Sequence, residues 1–205
     1  MNAQKWRATI LCHASTRIFC TLPLIIGCLL GCSTHTETPV DGSSPDVEIV
    51  SANAIVPDRI SDTVPGIQDA NNNLDVVWFE DRLFLAWRSA PTHFASAETR
   101  IHVASRPKEA VEWRHEGTFH LGTDLREPQL VVTDGGLVLY MAKLGTNPRA
   151  FEPQGTVYVT YEAPEQWSDL VAVFPENFIP WRIEPTPDGA YEVLGYTGGE
   201  NVYEV

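Results

Sequence analysis

The chain has 205 residues, 43% of them hydrophobic, and a formal net charge of −13. A surface this acidic repels phosphate backbones, which argues against nucleic acid as a partner. The acidity says little else, since acidic surfaces are also simply soluble.

The opening stretch carries Lys5, Arg7 and Arg17 and no acidic residue. An apolar run from Ile18 to Leu30 follows, too short to span a bilayer comfortably and flanked as a secretory leader is. It ends in Leu29-Leu30-Gly31-Cys32: apolar residues, a small residue, then cysteine. This junction resembles the lipobox of bacterial lipoproteins. The resemblance implies a diacylglycerol on the Cys32 thiol, cleavage before it and acylation of the new amine. Several acyl chains on one residue anchor stably, which makes membrane lipid a partner and the outer membrane the expected location. The alternative, an ordinary secretory signal with an incidental cysteine, is weakened by the linker that follows at once.

Residues 1–31 are thus read as a leader. Their removal takes away three of the 14 basic residues and none of the 27 acidic ones, leaving a charge of −16. All four cysteines (Cys12, Cys20, Cys28 and Cys32) lie at or before the cut. Disulfides, a cysteine nucleophile and a Cys-ligated zinc are therefore excluded from the exported part, whose stability must come from an apolar core. No His, Asp or Glu cluster has ligand spacing, so neither a metal nor another cofactor is expected.

Residues 32–46 are rich in Ser, Thr, Pro, Gly and Asp and read as a flexible tether, with the folded domain at 47–205. Val47–Val56 is a short β-rich stretch, and a polar loop with Pro57, Pro65, Gly66 and Asn71-Asn72-Asn73 separates it from the main body. Beyond it no amphipathic helix is expected. Short runs of Val, Leu, Ile, Tyr, Phe and Trp are split by Gly, Pro, Asp and Asn, which predicts an all-β fold. The predicted strands are 75–79, 83–88, 100–105, 113–121, 129–133, 137–144, 156–161, 170–174, 183–185, 191–196 and 202–205.

These runs repeat. Leu83, Leu137 and Tyr191 are spaced by 54 residues, and each follows a hairpin turn. Trp113 and Trp167 share the spacing, as do Val103 and Val157. Four short strands at such a period predict a β-propeller, with blades at about 73–121, 126–174 and from 181 onward. A β-sandwich is the fallback. A propeller ring needs at least about four blades, so this is an incomplete propeller. Either the chain is a fragment of a longer protein, the favoured reading, or copies assemble. Val47–Val56 is then a candidate for the strand that closes the ring.

The units resemble blades of sialidase-like and related glycosidase propellers. Thr160-Tyr161-Glu162-Ala163-Pro164-Glu165-Gln166-Trp167 resembles the Asp-box turn of sialidases, keeping the threonine, an acid and the tryptophan but lacking the glycine. Ser105 to Trp113 occupies the same place in the first unit, one residue longer and without the acid. Asp124-Leu125-Arg126-Glu127-Pro128 resembles the Arg-Asp-Pro motif of five-bladed furanosidases, with Glu in place of Asp. That resemblance implies a transition-state carboxylate at Glu127.

In a propeller the starts of the innermost strands converge on the axis, and the 54-residue spacing puts Asn73, Glu127 and Trp181 there. A glycosidase needs two carboxyl groups astride the scissile bond, and Asp75 and Glu127 are the acids placed for that role. Arg88, Arg126 and Arg182 suit a substrate carboxylate, and Asn73, Trp181 and His93 suit a sugar. Tyr140 and Tyr196 lie in second strands and are poor substitutes for a sialidase tyrosine. Each has a structural alternative. Arg126-Glu127-Pro128 can satisfy a loop, Trp87, Trp113 and Trp167 suit a core, Asn71–Asn73 suits a turn, and a loop histidine is commonly solvated. Two functions follow: a tethered glycan-processing enzyme, inactive as this chain alone, or a non-catalytic propeller lipoprotein that binds glycan or protein.

Overall fold

The computed structural model describes residues 6–8 and 54–197, and every regular element among them is a strand. Strand β1 (Trp6–Ala8) is short. Strands β2 (Ala70–Phe79), β3 (Arg82–Ala90), β4 (Arg100–Pro107) and β5 (Arg114–Phe119) form the first antiparallel sheet in chain order. The second sheet holds β6 (Asp124–Thr133), β7 (Gly136–Leu144), β8 (Pro153–Ala163) and β10 (Val171–Val173), with β9 (Gln166–Trp167) paired to the end of β8. The third pairs β11 (Phe178–Pro185) antiparallel with β12 (Tyr191–Thr197), and β1 lies parallel beside β12. None of the sheets closes on itself.

Alternation along each strand decides what packs where. Val77, Phe79, Phe84 and Ala86 of the first sheet face Leu130, Leu137, Leu139 and Met141 of the second, forming the main core. The opposite face of the second sheet, Val131, Val138 and Tyr140, meets Phe178, Ile183, Tyr191 and Val193 of the third. Because successive side chains point to opposite faces of a strand, the second sheet buries alternate residues on its two sides, Leu137, Leu139 and Met141 towards the first sheet and Val138 and Tyr140 towards the third.

The 54-residue spacing survives as a structural equivalence. Leu83, Leu137 and Tyr191 open the second strand of each sheet, and Val76 and Leu130 take matching places on the first. On β11 the match shifts by one residue, because the turn before Tyr191 is longer than the one before Leu137. Each first strand is also interrupted at the same level. Ladder shifts fall between Asn72 and Leu74, between Arg126 and Gln129, and between Pro180 and Arg182. A bulge of this kind re-aims a side chain out of the sheet.

Three expectations are corrected. The segment from Ile55 to Ile67 is no spacer: Ile60 and Val64 are fully buried on Leu85, Trp87 and Trp113, held by a run of turn hydrogen bonds. Its two buried residues are four apart in an otherwise polar stretch, which hides them from a strand pattern. Asn71, Asn72 and Asn73 lie in β2 instead of a turn, because the bulge lets polar residues continue the ladder. The first strands of the second and third sheets likewise begin earlier than their apolar runs, at Asp124 and Phe178. The expected strand 202–205 and residues 47–53 lie outside the described residues.

Candidate functional site

The first strands of the three sheets run side by side, β2 against β6 and β6 against β11. Their bulges therefore collect at one mouth. Asn73 and Glu127 both hold left-handed backbone, with φ of 43° and 45°. For a residue with a Cβ this costs on the order of 1–2 kcal/mol, and glutamate has no local hydrogen bond to offset it as asparagine can. The two side chains meet: Asn73 Nδ2 donates to Glu127 Oε1 at 2.7 Å. Burial pushes the Glu127 carboxyl above the ordinary carboxylate range, opposed by the nearby Arg126 and Arg88 charges.

Behind this pair sits Asp124, fully buried. Its Oδ1 accepts from Arg88 Nε at 3.1 Å, Arg88 Nη2 at 2.8 Å and Thr99 Oγ1 at 2.7 Å, and its Oδ2 accepts from Arg126 Nε at 2.5 Å. Arg88 is itself completely buried and also donates to the carbonyls of Thr92 and Phe94. It thereby holds the loop between β3 and β4 that carries His93 and Phe94. Arg126 Nη2 donates to the His93 carbonyl at 2.9 Å, so both guanidinium groups shape that loop. Asn72 Nδ2 lies 3.1 Å from His93 Nδ1. An amide nitrogen only donates, so Nδ1 is the acceptor in this contact.

A cavity of about 330 Å³ opens at this mouth, lined by His93, Phe94, Arg126, Glu127, Asn147 and Phe151, with Tyr196 at its wall. Phe151 stacks on Tyr196 at 5.7 Å, and Trp181 packs on the same tyrosine at 4.8 Å. The site thus combines one partly desolvated carboxyl, two amides, an imidazole, a guanidinium edge and aromatic faces.

Asp75 lies elsewhere. It lines a second cavity of about 190 Å³ between the first strands, with Gln129, Arg182 and Glu184. Its Oδ2 accepts the Leu130 backbone N–H at 2.8 Å, and burial again raises its carboxyl above the usual range. Arg182 stands 4.0 Å from Asp75 Oδ1 but pairs closely with Glu184. Of the residues singled out from the sequence, Asn73, Arg88, His93, Arg126 and Glu127 therefore form one hydrogen-bonded group. Asp75 and Arg182 form another, and Trp181 flanks the first through Tyr196.

Arg88, Arg126 and Arg182 do not form a cluster aimed at one anion. The first two share Asp124, and the third is at the other cavity. Tyr140 is buried between the second and third sheets, and burial raises its hydroxyl. Among the described residues no group of three or more His, Cys, Asp or Glu is arranged to hold a metal ion.

No protein-family model, curated protein or solved structure matches the chain. Sequence reasoning did not single out Asp124, Asn147 and Phe151. Asp124 and Arg126 are two apart on one strand and so share a face, which was the available signal. Asn147 and Phe151 come from a polar loop that carries no pattern.

Proposed function

We propose that the chain is a lipid-anchored protein with a propeller-type domain that binds glycan at the mouth formed by Asn73, Glu127, Arg126 and His93. The observation that carries this reading is Glu127. A carboxyl group is held in strained left-handed backbone, partly desolvated, tied to an amide 54 residues away and turned into an aromatic-walled cavity. Strain and desolvation of this kind are kept where a fold serves a site. Sugars need both parts of such a wall: rings for their apolar faces, and carboxyl, amide and guanidinium groups for their hydroxyls.

The propeller reading draws on the three equivalent sheets, whose first strands lie together and whose bulges recur at one level. Anchorage through Cys32 on the outer membrane rests on the Leu29-Leu30-Gly31-Cys32 junction. Binding is preferred over hydrolysis because Asp75 and Glu127 open into different cavities. Two acids so placed do not flank one glycosidic bond from opposite sides.

The test is a glycan array probed with residues 32–205 carrying Cys32→Ser, followed by calorimetry on the strongest oligosaccharide. Retention of a glycan, with affinity falling at least tenfold in Glu127→Ala, is the expected outcome. Failure to retain any neutral or acidic oligosaccharide would remove the glycan reading.

A further inference from the structure

The first sheet has an apolar face that its own repeat explains. Leu74, Val76 and Trp78 alternate along β2 on the side turned away from the second sheet, and they are 67%, 52% and 50% exposed. Their neighbours on the same face, Leu83, Leu85 and Trp87, are covered by the Ile55–Ile67 segment. The cover therefore reaches β3 and β4 and stops short of β2. Three bulky side chains in a row on one strand face form a patch continuous with an established core, and an isolated strand of this kind is a docking edge.

The chain shows what lies on such a face when it is covered. Val76 of the first sheet corresponds to Leu130 of the second. Leu130 is buried, and what covers it is the first strand of the preceding sheet, through Val77 and Phe79. Ile183, the matching residue of the third sheet, is buried in the same way against Val131. In both observed cases the occupant is a neighbouring sheet of the same repeat.

We infer that Leu74, Val76 and Trp78 form a docking face for a further sheet of this repeat, carried on the same polypeptide and presenting apolar side chains as Val77 and Phe79 do. The third sheet does not match that description, because the exposed Glu184 and Glu192 stand in the places equivalent to Val77 and Phe84. A copy of the chain that offered this face to β2 would set charge on Leu74, Val76 and Trp78. A face-to-face pair of β2 patches is also too small, since a stable pair buries about 20–30 residues a side. A sheet tethered in the same polypeptide avoids most of the association entropy, so a patch of this size is enough for it. The inference rests on the propeller reading and is independent of what the mouth binds.

The test uses the protein as its own cells make it, with Val76→Cys introduced at the locus, and compares maleimide labelling of that thiol, located by peptide mass spectrometry, with a Val111→Cys control. Val111 is 68% exposed in the connection between β4 and β5, away from β2. The expected result is labelling of the Val76→Cys thiol at least tenfold slower than the control, at every protein concentration. Trp78→Cys provides a second reporter if Val76→Cys folds poorly. Equal labelling rates overturn the inference. Protection that fades on dilution assigns the face to a second copy, and protection lost on purification assigns it to a separate protein; either also overturns it.

Discussion

The outer seam between the first two sheets and the mouth at their inner edge treat a carboxylate drawn out of solvent in opposite ways. At the seam, fully buried Glu116 accepts from Ser105 Oγ, from Arg114 Nε at 2.8 Å, from Tyr161 Oη at 3.3 Å and from the Glu165 N–H at 3.4 Å. Its backbone carbonyl also accepts Trp167 Nε1 at 2.7 Å, and that ring packs edge-on against Phe119 and Tyr161. At the mouth, Glu127 has one side-chain hydrogen-bond partner among the described residues, Asn73, and faces a cavity. A carboxylate whose lone pairs are all used is a fastener. One left partly unpaired in a cavity is available to a ligand. The same alternation of strand and turn builds both, and the difference lies in how many donors the neighbouring sheet supplies.

This contrast can be broken by mutation. The largest effect is expected at the seam, where Glu116→Ala strands the buried Ser105 hydroxyl and unpairs Arg114. A loss of about 3 kcal/mol is expected in urea unfolding, with ligand affinity of the folded fraction unchanged. A comparable loss of affinity with no loss of stability would reverse the assignment of the two regions.

A second effect sharpens the comparison through pH. His102 is buried against Trp87 with Nδ1 2.9 Å from Thr118 Oγ1, and burial lowers its pKa from 6.5 to about 4. Between those values the unfolded chain holds the extra proton and the folded chain does not. Stability therefore falls as pH drops from 6.5 towards 4, by at most about 1.4 kcal/mol per pH unit from this group. Urea midpoints taken across that range for the wild type and His102→Gln should show a shallower slope in the variant.

Glu127 has the opposite sign and the smallest effect. Its folded pKa is raised, so its contribution to stability is fully present below the unfolded value of 4.5 and is lost as pH rises through the folded value. Glu127→Gln keeps an oxygen for Asn73 and removes the charge. The variant should be more stable than the wild type at pH 7, on the order of 1 kcal/mol or less, with the gap closing as pH falls. Thermal melts at pH 7 and pH 4 measure it.

Much of the all-β fold was legible because alternation and turn residues are local signals. Runs such as 137–144 became strands almost to the residue, since each apolar position there had a sheet to face. Trp87 and Trp113 were readable as core for the same reason. The mouth was legible in part: the 54-residue spacing picked out Asn73 and Glu127, which prove to be bonded to each other. It failed to separate Asp75 from Glu127, because the ladder shifts on β2 and β6 turn neighbouring residues in different directions. Asp124 stayed hidden because its meaning depends on Arg88, 36 residues earlier, and only packing brings them together.

The central claim is that the mouth, and not the seam, meets the ligand. Calorimetric titration of the best array oligosaccharide into the wild type, Glu127→Ala and Glu116→Ala, each shown to be folded by circular dichroism, tests it most directly. The account predicts at least a tenfold loss of affinity in Glu127→Ala and none in Glu116→Ala. Equal affinity in the wild type and Glu127→Ala would contradict it.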